Sequence, residues 1–342
     1  MKEILKKIRI ACPDIAIRTD VNMGEYTSFR AGGTCSALIL VGTVEELKTV
    51  LSLVKDVKHM VLGNGTNTLF KEGNYDGIVI KLGDSPRFSF AATDVIGEGT
   101  ERAKAILEAY DTASKQPGFD TNKNPKPEFH PVGTENENEW IAGSSMLLSV
   151  FAKILAENSV KGFEFASGIP GSIGGAIFMN AGAYGGEMKD IVKWVRAVSP
   201  DGEEEKIFTN EEMNFGYRHT LLQDNNYIVT DVCFSLEKGD RDEIYAEMKE
   251  LAHKRNSKQP VQYPSAGSTF KRPEGNFAGK LIEDAGLKGV SVGGAEVSTL
   301  HAGFIINKGN ATPKDITNLI SLVQNVVYDK FGVMLEPEVR II

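Results

Sequence analysis

The chain has 342 residues, 41% of them hydrophobic and 25% charged, which is enough for two or three domains that each bury an apolar core. Its 46 acidic residues outnumber 38 basic ones for a net charge of −8, so the bulk surface does not suit nucleic acid, and any anionic ligand needs a local cationic cluster. No run reaches the roughly 18 uncharged apolar residues of a membrane span, and Cys12, Cys35 and Cys233 lie outside any CxxC or Cys/His spacing, so neither a disulfide framework nor a structural zinc site is suggested.

From the N-terminus, MKEILKKIRI lacks a signal-peptide cleavage site and reads as a short amphipathic helix within residues 1–20, placing the protein in the cytoplasm. Apolar runs at 36–41, 59–63 and 77–82 read as strands, with an amphipathic helix between the first two opened by a capping box of Thr43 and Glu46, a β-α-β unit. The stretch 111–139, rich in Asn, Pro, Glu and Lys without periodicity, reads as an exposed, flexible insertion. A helix is expected at 145–156, a β-hairpin turned at Asp201-Gly202 over 191–208, and a strand at 226–236. Asp240 and Glu243 open a helix bearing Ile244, Met248 and Leu251 on one face, a natural boundary for a smaller α+β unit. The last helix is capped by Thr312, carries Pro313 at its first position, buries Ile316, Leu319, Ile320, Val323 and Val327, and stops at Gly332; residues 333–342 read as a closing strand.

Two glycine-rich segments carry the chemistry. Residues 162–187, GFEFASGIPGSIGGAIFMNAGAYGGE, combine glycine with small apolar residues and almost no charge. Gly168, Gly171, Gly174, Gly175 and Gly182 let backbone N–H groups converge on an anion or a flat ring approach the main chain, as in a cofactor cradle. The second, LGNGTN at 62–67, follows an apolar strand: Gly63 and Gly65 open the turn, and Asn64, Thr66 and Asn67 offer donors to a phosphate, although such a turn alone is an ordinary strand end. Neither is a GxGxxG running into a helix, which disfavours a Rossmann site. Arg218, Arg255, Lys258, Lys271 and Arg272 stand beside Gly, Pro or Ser in ordered loops and are candidates to clamp a carboxylate or diphosphate, against the ordinary reading of solvated surface charge. Ser268 has no GxSxG elbow and by itself reads as a turn-former; Glu338 by itself decorates the last strand; His219 and His301 lack metal-ligand spacing, and no metal is assigned.

In chain order, YTSFRAGG (26–33), LGNGTN, the 162–187 segment, FGYR, RNSKQP, AGSTFK, AGKLIEDAGLKG, GGAEVS with HAGFIIN, and LEPEVR resemble the UDP-N-acetylenolpyruvoylglucosamine reductase family over most of the chain outside 83–139. Short passages at 237–240 and 273–278, in place of an extra tyrosine loop, resemble the type II members. The resemblance implies an α+β chain: a vanillyl-alcohol-oxidase/PCMH-type FAD-binding fold of two α+β subdomains over 21–237, and a smaller C-terminal α+β substrate domain over 238–342 whose last strand (335–342) carries a catalytic Glu. It implies non-covalent FAD, NADPH as hydride-donating co-substrate, and reduction of UDP-N-acetylglucosamine-enolpyruvate to UDP-N-acetylmuramic acid, a peptidoglycan precursor, by a monomer with no nucleic acid or membrane partner. Matching positions imply catalytic Arg218, Ser268 and Glu338. They imply cofactor contacts from Arg30, Gly63, Asn64, Gly65, Thr66, Asn67, Ser144, Ser145, Ser167, Gly168, Ile169, Pro170, Gly171, Gly174, Gly175 and Arg255, and substrate contacts from Tyr217, Lys258, Lys271 and Arg272. The chain departs from the family at the 111–139 insertion and at Arg272, where some relatives carry Asn. Two alternatives stay open: another flavin oxidase or dehydrogenase on the same fold, and a non-catalytic nucleotide-sugar binding protein.

Overall fold

The computed structural model describes residues 1–83, 115 and 138–342. The expected 111–139 insertion, apart from residues 115, 138 and 139, lies outside them. Contacts divide the described residues into two units, the first drawn from Met1–Arg18, Leu38–Gly63 and Ile78–Ala252, the second from Thr19–Ala37, Asn64–Gly77 and His253–Ile342.

In the first unit, α1 (Lys2–Ala11) buries Leu5 and Ile8, one turn apart. The four-stranded sheet β1-β2-β5-β3 (β1 Ala16–Asn22, β2 Thr34–Val41, β3 His59–Leu62, β5 Asn74–Leu82) continues through the strand ends that belong to this unit. α2 (Val44–Val54) joins β2 to β3, and β5 lies between them, parallel to β3 with Leu62 opposite Lys81, so the expected β-α-β unit is a crossover that skips one strand. Thr43 caps α2 by accepting the Glu46 N–H at 3.1 Å, but Glu46 Oε2 accepts from Gly42 at 2.8 Å, one residue before the cap, so the box is not reciprocal. A second, antiparallel sheet has the order β11-β10-β12-β6, with β6 Glu139–Gly143, β10 Val192–Val198, β11 Glu205–Thr209 and β12 Ile228–Ser235. The hairpin turns where expected: Asp201 accepts the Glu203 N–H at 3.1 Å, and Gly202 sits at φ 77°. α3 (Leu148–Glu157) starts three residues later than expected because Leu147 bridges Ser172 and the preceding residues turn into the glycine-rich segment. Phe151, Phe163 and Phe234 interlock at the centre of this core, with ring centroids 5.1–5.4 Å apart.

The second unit is built on a three-stranded sheet, β14 (Ser291–Val292), β15 (Ala295–Val297) and β16 (Ile305–Asn307), covered by α8 (Pro313–Phe331), on which α7 (Ala278–Asp284) packs. α8 carries every expected signal: Thr312 and Asp315 cap it reciprocally, the apolar stripe from Ile316 to Val327 is buried, and Gly332 ends it at φ 70°. The helix opened by Asp240 is α6 (Arg241–Lys258), and the boundary between units falls within it, at Ala252 and His253. The expected strand over 333–342 is corrected: only β17 (Arg340–Ile341) forms, paired in parallel with β4 (Thr68–Leu69). Pro337 cannot donate to a ladder, and it makes one isolated bridge to Phe270. Glu338 therefore lies two residues before the strand.

Candidate active site

In the first unit the glycine-rich segment folds back on the turn after β6. Gly174 N–H donates to Ser144 O at 2.8 Å, Ile173 N–H to Met146 O at 2.9 Å, and Leu148 N–H to Gly171 O at 3.1 Å. A Cβ on Gly174 would stand 2.9 Å from Ser144 Cβ, so the close approach requires glycine there. Gly63 meets Ser172 in the same way, with Ser172 Oγ 3.0 Å from where a Cβ would be, and Gly83 lies against Ser145. Gly63, Ser144, Ser145, Ser172 and Gly174 thus form one polar cradle. Within it the Ser144 and Ser145 hydroxyls are buried with no hydrogen-bond partner among the described residues, a costly arrangement unless a bound group supplies one. Gly168, Pro170 and Gly175 are exposed beside it, and Ile169 is half-buried. Ser167, by contrast, spends its hydroxyl locally on Glu164 O at 2.7 Å. Lys81, buried, donates from Nζ to Gly63 O at 3.3 Å. Sequence reading passed over it because a lysine in an apolar strand gives no sign of where its ammonium ends.

Arg218 sits at the corner of a tight turn in the same unit. Gly216 and His219 close the turn with N–H···O bonds of 2.9 and 3.3 Å, and Arg218 takes φ 55°. Its guanidinium lies over the Tyr217 ring, 5.0 Å from the centroid, and Tyr217 is exposed.

In the second unit Gly65, at φ 64°, brings its backbone against Tyr26, with Tyr26 O 2.0 Å from any added Cβ; Ser28 N–H donates to Gly65 O and Ser28 Oγ to Thr66 O. Asn64 lies in the same loop. Arg30 follows in a turn at φ 52°, its side chain exposed. Asn67 Nδ2 donates to Glu338 O at 3.0 Å, and Asn67 O accepts from Arg340 N–H. Thr269, fully buried, ties two segments together with three bonds: it donates its N–H to Gly303 O, accepts Ile305 N–H on Oγ1, and accepts Glu338 N–H on its carbonyl at 2.8 Å. Ser268, exposed and next to Thr269, is thereby placed beside the Glu338 segment. The arrangement brings together Ser268, Glu338 and Asn67, far apart in the chain. Thr269 itself carried no sequence signal. Arg255 and Lys258 share the last turn of α6, three residues apart on one face, Lys258 exposed. Lys271 is engaged by Glu336, and Arg272 stacks on exposed Phe277 at 4.0 Å. His301 Nδ1 accepts the Gly303 N–H at 3.1 Å, and burial, followed by the nearby Lys288, lowers its pKa below the usual histidine value.

Residues 259–342 match the family model described as UDP-N-acetylenolpyruvoylglucosamine reductase, C-terminal domain, and residues 135–207 match one described as an FAD binding domain. The UDP-N-acetylenolpyruvoylglucosamine reductase of Clostridioides difficile (strain 630) is 43% identical over 328 residues, 95% of this chain and 93% of the relative. That of Caldanaerobacter subterraneus subsp. tengcongensis is 43% identical over 344 residues, 100% of this chain and 96% of the relative. The crystal structure of UDP-N-acetylenolpyruvylglucosamine reductase from Thermus caldophilus superimposes with a TM-score of 0.72 at 30% identity, over 95% of this chain and 99% of that one.

Proposed function

The chain belongs to the UDP-N-acetylenolpyruvoylglucosamine reductase family, and from that premise we propose how its own residues divide the work. The protein is a flavin-dependent oxidoreductase of peptidoglycan precursor synthesis that uses NADPH to reduce the enolpyruvyl ether of UDP-N-acetylglucosamine-enolpyruvate to UDP-N-acetylmuramic acid. Its fold is the α+β, PCMH-type FAD-binding architecture with the family's C-terminal domain. Neither a different flavin oxidase nor a non-catalytic binding protein finds support beside this family membership.

The cradle of Gly63, Ser144, Ser145, Ser172 and Gly174 fits FAD: its two buried hydroxyls lack partners among the described residues, and its glycines leave room where a Cβ would collide. We assign these residues, with Gly168–Gly171, Gly175, the Asn64–Asn67 loop, Arg30 and Arg255, to holding the cofactor. Ser167, whose hydroxyl is already bonded to Glu164, contributes through its backbone. Held by these residues, FAD would supply the hydride chemistry that links NADPH to the vinyl carbon of the substrate. Negative charge then develops on the substrate's carboxylate side. Arg218, a permanent cation at the tip of a rigid turn, stabilises it, a kind of contribution worth about 3 kcal/mol for one well-placed donor. Ser268 donates the proton that completes the D-lactyl ether. Glu338, on the neighbouring segment, orients the substrate or the catalytic groups. Tyr217, Lys258, Lys271 and Arg272 contact the UDP-sugar, Lys258 at its diphosphate. In domain terms, 21–237 is the flavin portion and 238–342 the substrate portion. Among the described residues no helix is long and apolar enough to cross a membrane, and we place a monomer in the cytoplasm.

The observation that carries the assignment of the proton donor is the bond from Glu338 N–H to Thr269 O, which sets Ser268 next to Glu338. Its test is a stopped-flow comparison of the two half-reactions. Ser268→Ala is expected to leave flavin reduction by NADPH near the wild-type rate while slowing reoxidation by substrate roughly 10²- to 10⁴-fold. Equal slowing of both steps would remove Ser268 from this role.

A further inference from the structure

We infer that Asn180 is the positioning residue that sets Arg218 for the reduction of the substrate; this rests on the assignment of Arg218 above. Arg218 occupies a left-handed conformation, φ 55°, which a residue with a Cβ adopts only when its surroundings dictate it. Among the described residues, side chains outside the turn hold it from both ends. Asn180 Nδ2 donates to Gly216 O, at the base of the turn, at 2.9 Å. Gln223 Nε2 donates to the carbonyl of Arg218 at 3.0 Å and also to Phe178 O at 2.8 Å. Thr220 Oγ1 adds a bond to the same Phe178 carbonyl at 3.1 Å. The turn is thus fastened to the end of α4 (Ile173–Phe178), the short helix that continues the cofactor cradle.

The chemistry of Asn180 fits one task. It is fully buried, and each polar atom of its amide is used: Nδ2 also donates to Glu187 Oε2 at 3.0 Å, and Oδ1 accepts the Lys189 N–H at 3.0 Å. Only a group that donates twice and accepts once satisfies a carbonyl, a carboxylate and an N–H together. An aspartate would face Glu187 and the Gly216 carbonyl as one more acceptor. Asn180 is itself at φ 41°, a conformation that asparagine tolerates better than most residues, so removing its side chain calls for glycine rather than alanine. Asn180 holds the residue where the turn begins, and without it the guanidinium would sample positions in which the developing charge is poorly met.

The experiment uses the FAD-loaded enzyme and follows flavin absorbance in the two half-reactions, with Asn180→Gly, Arg218→Ala and the double variant. Misplacing one catalytic group by about an ångström can cost 10²-fold, so Asn180→Gly is expected to slow flavin reoxidation by UDP-N-acetylglucosamine-enolpyruvate roughly 10- to 100-fold while NADPH reduces the flavin within about twofold of wild type. Because Asn180 acts through Arg218, the same substitution in the Arg218→Ala background is expected to add less than about twofold. Additive losses, or equal slowing of both half-reactions, would overturn the inference and leave the role of Arg218 intact. An unchanged reoxidation rate in Arg218→Ala would overturn that role and this inference with it. Should Asn180→Gly fail to fold, Gln223→Leu, which releases the turn from its other side, reads out the same confinement to reoxidation and the same non-additivity.

Discussion

Alanine at Gly65 should cost far more than alanine at Gly275, although the two glycines share a conformation. Gly65 is at φ 64° and Gly275 at φ 67°, both in the second unit, so forcing a Cβ into the left-handed region costs each about 1–2 kcal/mol and cancels in the comparison. What differs is the space. The new methyl at Gly65 would lie 2.0 Å from Tyr26 O, a backbone atom that cannot swing aside, whereas no described heavy atom lies within 4 Å of the one at Gly275. Overpacking of this kind costs about 1–3 kcal/mol. At roughly 2–4 °C per kcal/mol, Gly65→Ala should melt about 2–12 °C below Gly275→Ala. Thermal unfolding followed by circular dichroism on FAD-stripped protein measures this without ligand linkage. The same series with FAD present should show weaker flavin binding in Gly65→Ala alone, since the LGNGTN loop must shift to admit the methyl. Equal melting temperatures for the two variants would refute the claim that the loop is pressed against the Tyr26 backbone.

Two further outcomes follow from the network around Ser268. Thr269→Val keeps the shape of a fully buried side chain but removes the acceptor of the Ile305 N–H, and an orphaned buried donor should cost about 1–3 kcal/mol, read by urea denaturation together with faster hydrogen exchange at Ile305. His301, held below its ordinary pKa mainly by burial and secondarily by Lys288, with Glu283 opposing, is neutral in the fold when the unfolded chain already binds a proton. Stability is therefore expected to fall as pH drops through the unfolded value near 6.5 and to level off below the folded one. His301→Gln should flatten that slope between pH 7 and the acid limb of the melting curve; an unchanged slope would mean the histidine is not the group responsible.

Local signals carried a good part of this protein. α8 could be drawn from Thr312, Pro313, the Ile316–Val327 stripe and Gly332, because capping, periodicity and a left-handed stop all act within a few residues. The hairpin at Asp201-Gly202 is equally local, and the composition of residues 162–187 marks a backbone that something approaches closely. Motif order then pointed to the family, which the relatives bear out.

Other features depended on partners distant in sequence. Residues 333–339 look as strand-like as Arg340–Ile341, yet only the latter meets β4, and Pro337 leaves the rest without a ladder. Nothing in the text near Ser268 says that the Thr269 carbonyl takes the Glu338 N–H, or that Asn180 supports the turn carrying Arg218 from 36 residues away. A sequence announces what a residue does with its own neighbours, since helix caps, glycine turns and apolar stripes are satisfied within a turn or two. Which distant carbonyl a buried amide or N–H will meet is decided only when the chain has collapsed, because a buried polar group must find a partner wherever the packing leaves one.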